Sequence, residues 1–154
     1  MPQLVKGGKH VFGWVKVCGN GEIPIPSDAF IEYSLDAGGL GILLSGSRTS
    51  GGFGLSMWER FQRSKLSTLL NSCPDFFCFT SPEGIAVECG TKTLCWVKLG
   101  DGNFCVPAPT LERFGIALGD RLLVVRGSGL ALGFIVRGPV TEAAKNHPDL
   151  PVFA

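Results

Sequence analysis

A mainly β fold with short helices is predicted by three features of this sequence: an internal repeat, frequent turn residues, and bulky apolar residues grouped in strand-length runs. The repeat emerges when the chain is slid along itself. An offset of 82 residues places Val5 on Val87, Gly8 on Gly90 and Trp14-Val15-Lys16 on Trp96-Val97-Lys98. After one extra residue at Cys18, an offset of 81 superposes Gly19-Asn20-Gly21 on Gly100-Asp101-Gly102 and Ile25-Pro26 on Val106-Pro107. The same offset carries Gly38 to Gly119, Gly46-Ser47 to Gly127-Ser128 and Gly52-Phe53 to Gly133-Phe134. Among 154 residues, 22 glycines and 10 prolines demand many turns, and 11 phenylalanines supply bulk for a sheet interior. This length suffices to bury a substantial core.

The second copy displays the plan most clearly. Thr93 to Leu99 mixes β-branched, aromatic and apolar residues as a strand does, and Gly100-Asp101-Gly102-Asn103 is turn chemistry. Phe104 to Val106 forms the next strand and ends at Pro107, which has no N–H for a central ladder. A short helix follows, with Pro109 in its first turn and Glu112 within it; Gly115 and Gly119-Asp120 stop and turn the chain. "RLLVV" and "LALGFIV" are strands of a hairpin around Gly127-Ser128-Gly129.

In the first copy "GILLSGSRTSGGFGL" contains the same hairpin. Ser56 and Glu59 then fit a capping box for a helix carrying Met57, Trp58, Phe61, Leu66, Leu69 and Leu70 largely on one side, stopped by Asn71 and Pro74. "FFCFTSPEGIAVEC" reads as two strands around a turn, and Pro139 opens a short helix that ends before His147-Pro148. The expected organisation is a first repeat over 1–57, an inter-repeat helix and strand over 58–83, a second repeat over 84–139, and a C-terminal helix and tail over 140–154.

A turn glycine, a strand ending in Val-Pro or Ile-Pro, a short helix, an apolar-Gly-Ile step and Gly-Asp before a hydrophobic strand together resemble the AbrB/SpoVT family of bacterial swapped-hairpin domains. The resemblance covers Thr93 to Val136 well and reaches Phe12 to Leu55 through the internal repeat. It implies a β-barrel of two interlocked copies, here an intrachain pseudo-dimer similar in layout to the two-repeat MraZ proteins. Their Asp-x-x-x-Arg signature is absent from the hairpin glycines of both repeats. It also implies DNA binding and transcriptional regulation.

The residues that would touch DNA depart from the family pattern. Arginines commonly follow the turn glycine and sit early in the short helix in members of the family. Here Glu22 and Asn103 follow the glycines, while Phe30, Ile31, Leu111 and Glu112 occupy the helix positions. The net charge is +1 and the pI about 7.6, far from a basic nucleic-acid module. The expected contacts to double-stranded DNA are therefore a local set: Lys16 and Lys98 at matched positions, Lys9 and Lys92 upstream, and Arg113 on the second short helix. Such lysines either contact phosphates or are solvated strand ends.

Trp14 and Trp96 present either a stacking surface for single strands or matched core positions. Trp58 and Phe61 form either a stripe for a protein partner or a second copy, or part of the core. The alternative function is thus a repurposed swapped-hairpin module that binds protein or small ligands without DNA.

Other chemistry finds little support. The glycine-rich stretches lack the Gly-Lys-Ser/Thr ending of a phosphate loop, and no paired carboxylates stand out for acid–base work. A Cys–His nucleophile has only His10 and His147 to draw on. The six cysteines contain no Cys-x2-Cys pair, so no metal or other cofactor is expected, and buried free thiols are. No apolar run reaches the roughly 18 residues of a membrane span. With no export signal visible, the expectation is a cytoplasmic, soluble protein that is not an enzyme.

Overall fold

Trp14-Val15-Lys16 lies in the first strand, β1 (Val11–Lys16), of a computed structural model that describes residues 10–73, 82–127 and 130–154. The first copy continues through β2 (Glu22–Pro24), α1 (Ser27–Glu32), β3 (Leu40–Ser45) and β4 (Phe53–Met57). Helix α2 (Trp58–Gln62) and a 3-10 helix (Lys65–Ser72) follow. Strand β5 (Val87–Cys89) leads into β6 (Lys92–Lys98), β7 (Asn103–Cys105), α3 (Ala108–Arg113), β8 (Arg121–Arg126) and β9 (Leu132–Ile135). Helix α4 (Pro139–Ala144) and β10 (Val152–Phe153) complete the chain, which is mainly β with short helices.

Eight strands form one sheet in the order β10-β1-β8-β9-β4-β3-β6-β5, and β2 pairs with β7 in a separate ribbon. The matched residues of the sequence repeat occupy corresponding ladder positions. Trp14 pairs with Leu123 and Trp96 with Ile42, which precedes Leu123 by 81 residues. Lys16 pairs with Arg121, and Lys98 with Leu40 at the corresponding place. Beyond the strands, Val106 donates its N–H to the Gly21 carbonyl at 3.0 Å, and Ile25 donates to Gly102 at 2.8 Å. Gly21 and Gly102 have φ of +85° and +83°. In that left-handed region, glycine avoids the steric cost of a Cβ.

The sheet is not closed into a barrel, contrary to the sequence expectation. β10 lies parallel along β1, and β5 lies antiparallel along β6. These added strands occupy the free edges of β1 and β6, so those edges do not meet each other. Capping an edge in this way satisfies its N–H and carbonyl groups without closure.

Both faces of the central strands are covered, which explains their nearly continuous apolar character. On the inner face Val15, Leu122, Val124, Leu43, Leu55, Cys95 and Val97 join Ile23, Phe53, Phe104, Phe114 and Phe134 in one core. The outer face has two smaller cores. One joins Ile42, Leu94 and Trp96 to Phe61 and Leu70; the other joins Leu123, Val125 and Trp14 to Ala144 and Leu150. Alternate residues of β8 therefore enter different cores, the period-2 geometry of a strand buried on both sides.

The single helix expected after the first hairpin is instead broken between Gln62 and Lys65. The Ser64 hydroxyl donates to the Phe61 carbonyl at 2.7 Å, and Ser67 donates to Ser64 at 2.8 Å. Such local hydroxyl bonds compete with the regular helical ladder. The expected capping box is also absent: Ser56 is a buried residue of β4, and Met57 at the N-cap makes no side-chain cap bond. The first strand expected in "FFCFT" and the hairpin tip at Ser128-Gly129 lie outside the described residues.

Cys73 and Cys89 form a disulfide, with Cα atoms 5.4 Å apart, which corrects the expectation of free thiols for these two. The 3-10 helix ends against β5, bringing together cysteines 16 residues apart. Of the free thiols, Cys95 is buried as expected, whereas Cys18 is half-buried and Cys105 exposed; Cys78 lies outside the described residues. Burial pushes the Cys95 thiol up to about 12. Among the described residues no helix is long and apolar enough to cross a membrane, and no cluster of three or more His, Cys, Asp or Glu side chains is placed to hold a metal ion.

An ion pair links α1 to the end of β8. Arg126 donates from Nε to Glu32 Oε2 at 2.8 Å and from Nη2 to Oε1 at 2.6 Å. This bonding holds the Glu32 carboxyl below its ordinary range. A lowered folded-state pKa stabilises the fold above the unfolded carboxylate pKa, about 4.3, and that contribution is lost as pH falls through the lower folded value. Glu32→Gln is accordingly expected to make urea midpoints less sensitive to pH below about 4. The same acid dependence in the variant would rule the pair out as its source. Both partners are partly exposed, so the effect is small.

Candidate functional site

The basic residues singled out in the sequence do not converge. Lys16 and Lys98 end β1 and β6 and are exposed, each leading toward a glycine turn and the β2–β7 ribbon. Lys98 also donates its backbone N–H to Glu83 Oε2 at 2.8 Å, placing a carboxylate beside that strand end. Lys92 is half-buried, and its ammonium donates to the Ser45 carbonyl at 3.3 Å. Arg113 pairs with Glu88 on β5. Lys9 lies outside the described residues.

Glu22 and Asn103, in the places where the family resemblance would put arginines, are joined to each other. Asn103 Nδ2 donates to Glu22 Oε1 at 2.9 Å across the ribbon. The Glu22 carboxylate there is half-buried, and its interaction with phosphate is repulsive. Lys16 does gain a cationic neighbour that sequence reasoning missed, because Arg121 is its direct partner on the ladder. Nothing local could signal this: the two residues are 105 positions apart and meet only through sheet register.

Phe61 is fully buried within the molecule's own outer core, so it is not a surface for a partner. Trp58 is half-buried, stacks with Phe61 at 6.2 Å between ring centroids, and lines a groove beside α2. That groove, about 480 Å³, also presents Asp36, Glu59, Arg60 and Arg63, a surface of mixed charge. Trp14 and Trp96 are half-buried and pack on the two outer cores, which accounts for their matched sequence positions by packing.

A second groove, about 400 Å³, lies beside α4. Trp14, Arg121, Thr141, Lys145 and His147 line it, with Leu150 among its apolar walls. Apart from Trp14, and His147 as a partner for a cysteine nucleophile, these residues were not singled out by sequence reasoning. Their only sequence signal is the clustering of Lys145 and His147 near Thr141, which is indistinguishable from an ordinary solvated helix end.

The chain matches no family model, no curated protein and no solved structure at a significant level.

Proposed function

We propose that this chain is a fused pair of AbrB/SpoVT-like swapped hairpins, a regulator that contacts duplex DNA through Lys16 and Lys98. The supporting observation is the corresponding cross-copy pairing of β1 with β8 and β6 with β3, together with the mutual pairing of β2 with β7 and β4 with β9. On this reading, each hairpin completes the sheet of the other copy, and an approximate two-fold axis passes through the β2–β7 ribbon. The two lysines flank that axis and contact phosphates without reading bases. Arg113 and Lys92 are secondary because their heads are already engaged.

Two phosphate contacts set a testable magnitude. Fluorescence anisotropy with random-sequence duplex DNA is expected to give weak binding with a log–log salt slope of about −2. Lys16→Ala with Lys98→Ala is expected to remove nearly all of that slope. Unchanged affinity and slope in the double variant would eliminate this contact surface.

A module for protein or small ligands is the second reading, favoured by the Glu22–Asn103 hydrogen bond at the ribbon where the family's arginines would stand. Absence of DNA binding at low salt, up to about 100 μM protein, would select it over the first.

A further inference from the structure

The groove beside α4 combines three observations that neither functional reading uses. First, its lining contains cations and no carboxylate, unlike the groove beside α2. Leu40 lines the α2 groove, and the residue 81 positions later, Arg121, lines this one. Second, Arg121 faces Lys16 directly across the ladder, and like charges so placed oppose pairing unless an anion offsets them. Third, Thr141 is 2 % exposed, and its buried hydroxyl oxygen has no hydrogen-bond partner among the described residues. Buried polar atoms are normally satisfied, so an orphan in a groove wall invites a ligand.

We propose that this groove binds a small aromatic carboxylate. The planar Arg121 guanidinium takes the carboxylate with two parallel donors. The Thr141 hydroxyl supplies a further hydrogen bond, and the Trp14 indole offers an aromatic wall for offset stacking. Lys145 and His147 complete the polar rim, although Lys145 also pairs with Glu142 at 3.1 Å, which leaves Arg121 as the principal cation. Val136, Ala144 and Leu150 provide apolar walls, and the volume fits the roughly 300–1,000 Å³ of small-molecule sites. Of the two facing cations only Arg121 lines the groove, and with Lys145 paired to Glu142 this suits a singly charged carboxylate better than a phosphate dianion. The assignment does not rest on DNA binding, but the two sites adjoin, because Lys16 is the ladder partner of Arg121 on this face.

The test uses indole-3-acetate as the probe, followed through the Trp14 indole N–H resonance in two-dimensional NMR of the full chain. A saturable shift with Kd on the order of 1 mM or tighter is expected for a ligand of this size. Neutral indole-3-acetamide is expected to bind at least about tenfold more weakly, and Arg121→Gln to lose at least about tenfold, because each removes a charge-assisted contact. Thr141→Val is expected to weaken the probe about fivefold while leaving the urea midpoint of the free protein unchanged or raised, since no protein partner is lost. A stability loss in Thr141→Val with unchanged probe affinity would mark a purely structural hydroxyl and overturn its assigned role. Equal affinity for acetate and acetamide, no shift at about 10 mM probe, or wild-type affinity in Arg121→Gln would overturn the site. Displacement by inorganic phosphate at equal concentration would overturn the assignment to an aromatic carboxylate.

Discussion

Phe53→Ala is expected to destabilise the protein by about 3–5 kcal/mol, the usual cost of truncating a buried phenylalanine where neighbours cannot collapse into the space. Such a loss is a large fraction of the 5–15 kcal/mol typical of a folded domain. Phe53 is 1 % exposed and sits where β4 crosses to β9, directly opposite Phe134. Its ring lies 5.1 Å from Phe134, 5.4 Å from Phe114 and 5.9 Å from Phe104, while Phe104 lies edge-on to Phe134 at 5.6 Å. Three of the four rings come from the second copy and Phe53 from the first, so the cluster ties the two halves together. The measurement is a urea unfolding curve followed by far-UV circular dichroism, with Phe53→Leu as a control that keeps most of the volume. A shift below about 1 kcal/mol would show that the cluster does not couple the halves in this way.

Breaking the Cys73–Cys89 disulfide is expected to cost about 3 kcal/mol, the chain-entropy value for a loop of about this length. For a protein of this size the loss corresponds to a drop of roughly 6–12 °C in Tm. Calorimetry with and without reductant, and of the Cys73→Ser/Cys89→Ser variant, reads the change. The bond anchors the 3-10 helix to β5, whose Glu88 pairs with Arg113, so the reduced protein should first loosen at that sheet edge. Peptide mapping after alkylation without reductant provides the independent check. Labelling of both Cys73 and Cys89 would exclude the bond, whereas an intact bond with no change in Tm would mean that the unfolded chain gains no entropy from its release.

Much of the architecture was legible because it depends on local, repeated signals. The glycine turns, the Ile-Pro and Val-Pro strand ends and the short helices each follow from a backbone preference that holds wherever the segment is placed. The break at Ser64 was harder to read, because helical periodicity in Met57 to Leu70 does not record how hydroxyls redirect backbone bonds. The cysteine expectation failed for a different reason. It rested on the absence of an export signal and on metal-ligand spacing, and neither senses that a helix end and an edge strand converge.

The candidate sites divide along the same line. Lys16 and Lys98 could be matched from the sequence because a repeat marks equivalent positions, and the ladders place them at corresponding strand ends. The engagement of Arg113 by Glu88 and Lys92 by Ser45 is a property of side chains brought together from distant elements. Likewise, Phe61 carries a helical spacing compatible with either core or surface, and only packing decides that it is core.

The sequence by itself determined a mainly β chain with short helices, a repeated strand-and-turn plan and a nearly neutral charge. These follow from composition and from preferences spanning a few residues. Tertiary structure alone decided that the sheet stays open, that Cys73 meets Cys89, and that Arg121, Thr141 and Trp14 line one groove. Each of those outcomes depends on which distant strands pair and in what register. A register shift of one residue between β1 and β8 would put Trp14 and Arg121 on opposite faces of the sheet, while leaving every local signal in the sequence unchanged.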